Sequence, residues 1–204
     1  MAILKKRPGS EGAAQLTEST AQSALYKWCA SKNHELVVPN CGMAFGWESD
    51  LVSVTKAGIA HEFEIKVSRS DWLAELRATR DGKPGQNPKA SRALMLAGAA
   101  EIAGQLSKGG KAKLSNDPTG FSYYTSEAPP NYWWLATAED VAKPEEVPEY
   151  AGHVVIIPGT HIRYQFHIEK QAPKLHGRKI SDRQWRSLAR GACLRYWQIR
   201  EEDG

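Results

Sequence analysis

The stretch Trp47 to Trp72, WESDLVSVTKAGIAHEFEIKVSRSDW, constrains the fold more than any other part of this 204-residue chain. Phe45 to Thr55 and Ile59 to Ser68 read as two β-strands joined by Lys56-Ala57-Gly58, a hairpin-like connection. In the second strand Phe63, Ile65 and Val67 point one way, while Glu62, Glu64, Lys66 and Ser68 point the other. One side is therefore a clean apolar core face. The other carries two carboxylates and a lysine in a row, a pattern that an edge strand open to solvent would also show. Ser70 is placed to cap a helix running to about Arg80, with Asp71 favoured in its first turn by the helix dipole.

The rest of the chain supplies the layers such a strand pair needs. Gln15 to Ser31 reads as a helix, with Ala21, Ala24, Leu25, Trp28 and Cys29 on an apolar stripe. Glu35 to Pro39 is a short strand. The turn cluster DGKPGQNP (81–88) ends the helix begun at Ser70, and Lys89 to Leu106 is Ala-rich and helical. Ser107 to Thr119 is a Lys-bearing loop. Phe121 to Tyr124, Tyr132 to Ala136, Val154 to Ile157 and Ile162 to Ile168 follow as strands, the first two rich in aromatics. Ser181 to Ile199 is a basic helix with Trp185, Leu188, Ala192 and Tyr196 spaced along one face. The expectation is one α/β domain over residues 1–204, a central mixed sheet flanked by helices. A helix and loop are inserted around 82–119, and a basic helix closes the chain at 181–199.

Composition narrows the class without choosing a function. With 41% hydrophobic and 25% charged residues, 17 Gly and 11 Pro, the chain can bury a sizeable core, which excludes a disordered tail, a collagen-like chain and a small disulfide scaffold. No apolar run approaches the roughly 20 residues of a membrane span, and no apolar segment follows the first basic residues as in a secretory signal. Cys29, Cys41 and Cys193 are an odd, widely spaced set, which suggests a reducing compartment and a cytoplasmic location. There is no zinc-type ligand spacing, Walker loop, GxGxxG or GxSxG.

The net charge of +4 conceals two opposed fields. From Lys170 to Arg200 nine basic residues face one acid, Asp182; from Ala136 to Tyr150 the sign reverses, with five acids against Lys143. A chain polarised this way can present a basic face to an anionic polymer. The carboxylates are the second feature. Glu48 and Asp50 share a face of the first strand, and Glu18 sits on the apolar stripe of the first helix, expected to face the body of the protein. Carboxylates converging on one lysine call for a cation or a large pKa shift. Hard oxygen ligands from two strands suit Mg²⁺, and Lys66 lies on the same strand face as Glu64, where it can orient an attacking water.

Asp50, thirteen intervening residues, then Glu64-Ile65-Lys66, with Glu18 on a preceding helix, resembles the PD-(D/E)XK nuclease superfamily. More narrowly, ESD…HEFEIKVSRSDW with PEEVPEYAGHVVII downstream is similar to MmcB-like DNA-repair proteins and related phage-encoded nucleases. The resemblance covers about residues 15 to 80, with looser support from 130 to 160. It implies a restriction-endonuclease-like core in αβββαβ order and a Mg²⁺-dependent DNA nuclease (Mn²⁺ substituting), an endonuclease of phage DNA processing or DNA repair. Carried onto this chain, it makes Asp50, Glu64 and the carbonyl of Ile65 metal ligands, Lys66 the residue serving the water and Glu18 an auxiliary contact. Ser49 stands where the motif has Pro, which leaves Glu48 as a rival ligand; Glu62 is the rival within the second strand. Ser68, Arg69, Lys108, Lys111, Arg178, Lys179, Arg183 and Arg186 are the candidate DNA contacts. The alternatives are a DNA-binding repair accessory protein that keeps the fold with little cleavage, and a module whose acidic 139–149 stretch meets a host protein. A homodimer would suit paired cuts on duplex DNA.

Overall fold

The computed structural model describes residues 16–42, 44–107, 128–159 and 164–202. The strand expected at Phe121 to Tyr124, and Lys108 and Lys111, lie outside them. Six strands form one mixed sheet in sequence order: β1 (His34–Gly42), β2 (Glu48–Thr55), β3 (Ala60–Lys66), β4 (Tyr132–Thr137), β5 (Ala151–Pro158) and β6 (Tyr164–Lys170). The β1/β2, β2/β3 and β5/β6 pairs are antiparallel, while β3/β4 and β4/β5 are parallel. Parallel neighbours need a crossover. Between β3 and β4 it contains α2 (Arg69–Asp81) and α3 (Pro88–Ser107); between β4 and β5 it is the 138–150 segment, with one 3₁₀ turn at Pro144–Glu146.

Helix α1 (Glu18–Ser31) covers one face of the sheet. Its Ala21, Ala24, Leu25 and Cys29 pack with Leu51, Phe63, Ile65, Trp134, Val154 and Ile156. Trp28 stacks on Phe166 at 5.3 Å and meets Phe63 and Trp134 edge-on. The opposite face is shared. Helix α4 (Asp182–Glu202) packs Leu188 over Val38, Cys41, Val52 and Val54, while α2 and α3 bring Trp72 and Leu96 onto Trp133 and Leu135. Strand β3 is therefore central and covered on both faces. Its polar side is no solvent edge: Glu62 is 0% and Glu64 4% exposed.

Several boundaries differ from the sequence reading. Thr17 caps α1, its side chain accepting from Thr20 N, so the helix begins at Glu18. Ser68, not Ser70, caps α2: its Oγ accepts from Asp71 N at 3.2 Å, and the extended backbone at Ser68 lets the chain leave β3 straight into the helix. Residues 45–47 precede β2 rather than opening it. The Trp133–Trp134 pair is core, buried against both faces.

Candidate active site

The site forms where β2 and β3 part. Their register pairs Val52 with Glu62 and Leu51 with Phe63 and stops there. One step further along, the Asp50 side chain replaces the strand backbone, its Oδ2 accepting from Ile65 N at 2.7 Å. That bond fixes Asp50 beside the strand carrying Glu64 and Lys66. The Lys66 ammonium donates to Glu64 Oε1 at 2.5 Å and reaches Glu75 of α2 at 3.9 Å, with its side chain 12% exposed. Asp50, Glu64, Ile65 and Lys66 are thus brought together.

Of the other expected acids, Glu18 stands at the edge of this group, close enough for its charge to act on Asp50, whereas Glu48 and Glu62 stand apart. Glu18 was expected to face the body, but it is exposed at the first position of α1, and its oxygen receives a 3.4 Å bond from Gln22. The same Gln22 amide donates to the Asp50 carbonyl, so Glu18 lies at the exposed rim of the site rather than inside it. Glu48 is exposed at the start of β2. Glu62 is sealed beneath α3, with Trp47 Nε1 donating to Oε1 at 2.7 Å and Oε2 left without a partner.

The residues that complete the site come from outside the motif. Arg92 of α3 is buried and lies over the Trp133 ring at 5.5 Å. It donates to Glu64 Oε2 at 2.5 Å and Glu75 Oε1 at 2.7 Å, and stands 4.0 Å from Glu62. Lys89 pairs with the second oxygen of Glu75. Gln22 of α1 donates to the backbone carbonyl of Asp50 at 3.0 Å and to Asn40 Oδ1 at 2.7 Å, tying α1 and β1 to the site. In an Ala-rich helix 28 positions from Glu64, no spacing or motif names Glu64 as the partner of Arg92. The signal available was an arginine at a position flanked by Ala90 and Met95, on the helix that must cover an acidic strand face.

The electrostatics follow from this packing. Burial, then the charge of Glu64 and more weakly that of Glu18, pushes the Asp50 carboxyl up to about 6, against the pull of the Ile65 N–H and Lys66. Burial pushes Glu62 up to about 7. Burial would raise Glu64 as well, but Arg92 and Lys66 hold it below the usual carboxylate range. Lys66 is held above its ordinary value by Glu64, Asp50 and Glu75, despite its burial.

Among the described residues no group of three His, Cys, Asp or Glu is arranged to hold a metal ion. The donor set is two neighbouring carboxylates, Asp50 and Glu64, with a backbone carbonyl at Ile65. That fits Mg²⁺, which takes one or two carboxylates and keeps several waters, better than a fully protein-ligated cage. Asp50, ionised only against its burial and the neighbouring carboxylates, is the group a hard cation would relieve. Glu64 can join it by sharing an oxygen that Arg92 now holds.

The candidate DNA contacts divide. Ser68 is the cap of α2, and Arg69 is committed to Glu146 and to the carbonyl of Val141 at 2.9 Å. Arg178, Lys179, Arg183 and Arg186 are exposed. They lie toward the far end of β3, since Ile180 N bonds Gly58 O in the β2–β3 turn. Of the acidic stretch, Glu146 is drawn inward by Arg69 and by Trp72 Nε1, whereas Glu139, Asp140, Glu145 and Glu149 stay exposed. No helix among the described residues is long and apolar enough to cross a membrane.

Comparison of the sequence with known protein families and with curated proteins finds no match. Among solved structures, SPO1766, a protein of unknown function from Silicibacter pomeroyi, is similar over 94% of this chain and 97% of that one, at 15% identity and a TM-score of 0.49.

Proposed function

We propose that this protein is a divalent-metal-dependent nuclease that hydrolyses phosphodiester bonds in DNA, with a restriction-endonuclease-like core. The observation that carries the reading is the meeting of Asp50, Glu64 and Lys66 at the point where β2 and β3 separate, with Asp50 anchored on Ile65 N and Lys66 bonded to Glu64. Asp50 and Glu64 would hold Mg²⁺, with the carbonyl of Ile65 beside them. Bound there, the ion supplies positive charge to a phosphate oxygen and a more acidic water. Lys66 stands at the mouth of the site as a fixed cation, where its remaining N–H groups orient an attacking water or take up charge developing on the phosphate. Gln22 and Arg92 act through Asp50 and Glu64, which they hold in place by hydrogen bonds.

The test is cleavage of supercoiled, linear and branched DNA with Mg²⁺ or Mn²⁺, against EDTA. Asp50→Asn, Glu64→Gln and Lys66→Met are each expected to lower the rate at least about 100-fold, the range of a lost charge-stabilising group, while the fold is retained by circular dichroism. Unchanged rates in all three variants would refute the assignment. One observation favours a second reading, a DNA-binding accessory protein without cleavage: Lys66 and Arg92 already occupy both oxygens of Glu64. DNA binding that survives EDTA, with no cleavage under either metal, would decide for it.

A further inference from the structure

The solvent face of α4 continues beyond the body of the protein and ends beside the site. Helix α4 starts near the β2–β3 turn, where Ile180 N bonds Gly58 O, and runs along β1 until Arg195 donates to Asn40 O at 3.4 Å. Asn40 is the residue that Gln22 links to Asp50. The direction of the helix is thus from the far end of the sheet toward the candidate active site.

Its face is graded. Arg183, Arg186, Arg190, Leu194 and Trp197 are spaced by three and four residues, so they form one stripe, and all are exposed. The first three are cationic; the last two are apolar, on the part of the helix nearest the site. Ile199 lies on the same helical face as buried Leu188 yet is 57% exposed, so the sheet beneath has ended and, among the described residues, nothing covers the last turns. On those turns Trp197 is 62% exposed, with Tyr196 edge-on to it at 5.4 Å and Arg200 alongside. A cluster of exposed large apolar side chains of this kind marks a binding surface.

We propose that the α4 stripe binds an unpaired DNA strand, the arginines holding phosphates and Tyr196 and Trp197 stacking on bases as the strand approaches Asp50 and Glu64. A duplex hides its base faces inside the stack and offers these rings nothing; an unpaired strand offers both phosphates and base faces. Charge favours an anionic polymer as the occupant: between Arg183 and Arg200 the helix carries only basic charges, and a two-fold self-pairing centred on the stripe would set Arg190 against its own copy. The inference rests on the nuclease reading only in naming its substrate; the binding itself is independent of cleavage.

Binding is measured by anisotropy in EDTA, with labelled oligothymidylate and a duplex of equal length. The single strand is expected to bind more tightly. Tyr196→Ala with Trp197→Ala should weaken it about tenfold or more, given roughly 1–3 kcal/mol per stacked base, while duplex binding moves less than about threefold. Arg190→Gln should lower the single-strand salt slope by about 0.7. Because the substituted rings are exposed, thermal melts should be unchanged. Equal losses on both DNA forms would overturn the proposal. So would an absence of DNA binding accompanied by a dimer that Trp197→Ala dissolves. Single-strand binding by a chain that cuts nothing in Mg²⁺ upholds this surface and removes the nuclease reading alone.

Discussion

Arg92 shows how much of the site depends on one side chain from outside it. Four acids (Asp50, Glu62, Glu64, Glu75) and three bases (Lys66, Lys89, Arg92) share the cluster, and Arg92 is the only one of the bases that bonds two of the acids directly at hydrogen-bond distance with its two terminal nitrogens. Its planar fork suits that bridging, which a lysine's point charge cannot reproduce. Removing it leaves Glu64 and Glu75 buried with one cation fewer each. Arg92→Met is expected to destabilise the protein by about 3–5 kcal/mol, the usual cost of breaking a buried ion pair from one side, and Arg92→Lys to recover only part of that. Urea unfolding measures both. A loss below about 1 kcal/mol for Arg92→Met would mean that the acids relax into water and that the guanidinium does not hold Glu64.

At the scale of elements, close packing around β4 and β5 leaves no room at Gly152. A Cβ there would lie 2.5 Å from the Trp134 ring and 2.7 Å from Ala172, on opposite partners that cannot both retreat. Trp134 is itself pinned by Phe63 and Trp28. Gly152→Ala is therefore expected to cost about 1–3 kcal/mol through overpacking, read as a lowered urea midpoint with an unchanged m-value; no change in midpoint would show that Trp134 can move despite Phe63 and Trp28. The same elements show what the sequence could disclose. The alternation in β3 marked Phe63 and Ile65 as core and Glu64 and Lys66 as partners, because a period of two is a local property. The apolar stripe of α1 was legible for the same reason, through Ala21, Leu25 and Cys29. Glu18 lies near Asp50 but is more exposed than its stripe suggests, because helical spacing assigns a face but not where the covering layer stops. Tyr196, spaced along one helical face with Trp185, Leu188 and Ala192, is exposed where Leu188 is buried, because β1 ends beneath Arg195. Arg92, Glu75 and Gln22 were invisible because their partners are set by how α1, α2 and α3 lie on the sheet, which no local pattern encodes.

Across the whole molecule, buried titratable groups pull stability in opposite directions with pH. Burial, aided by the neighbouring His34, lowers the His61 imidazole to about 3, and His34, His153 and His176 are lowered too, chiefly by burial. His61 Nδ1 accepts from Trp134 Nε1 at 3.2 Å and its ring stacks on Tyr132, so the folded state requires the neutral form. The unfolded chain takes up that proton near pH 6.5. The stability from neutral His61 is therefore complete above about 6.5 and is lost as pH falls toward 3, with a slope approaching about 1.4 kcal/mol per unit from this one group. Glu62 works the other way. Its folded value of about 7 exceeds its unfolded one, so its burial costs nothing below about 4.5 and costs most above 7. Urea titrations of the wild type, His61→Phe and Glu62→Gln at a series of pH values separate the two. His61→Phe should gain on the wild type steadily as pH falls from 6 to 4, and Glu62→Gln should gain as pH rises from 5 to 7, whatever constant offset each substitution adds. Profiles parallel to the wild type would mean that both groups reach water in the folded state. The sealed face between α3 and the sheet, on which the placement of Glu64 depends, would then have to be open.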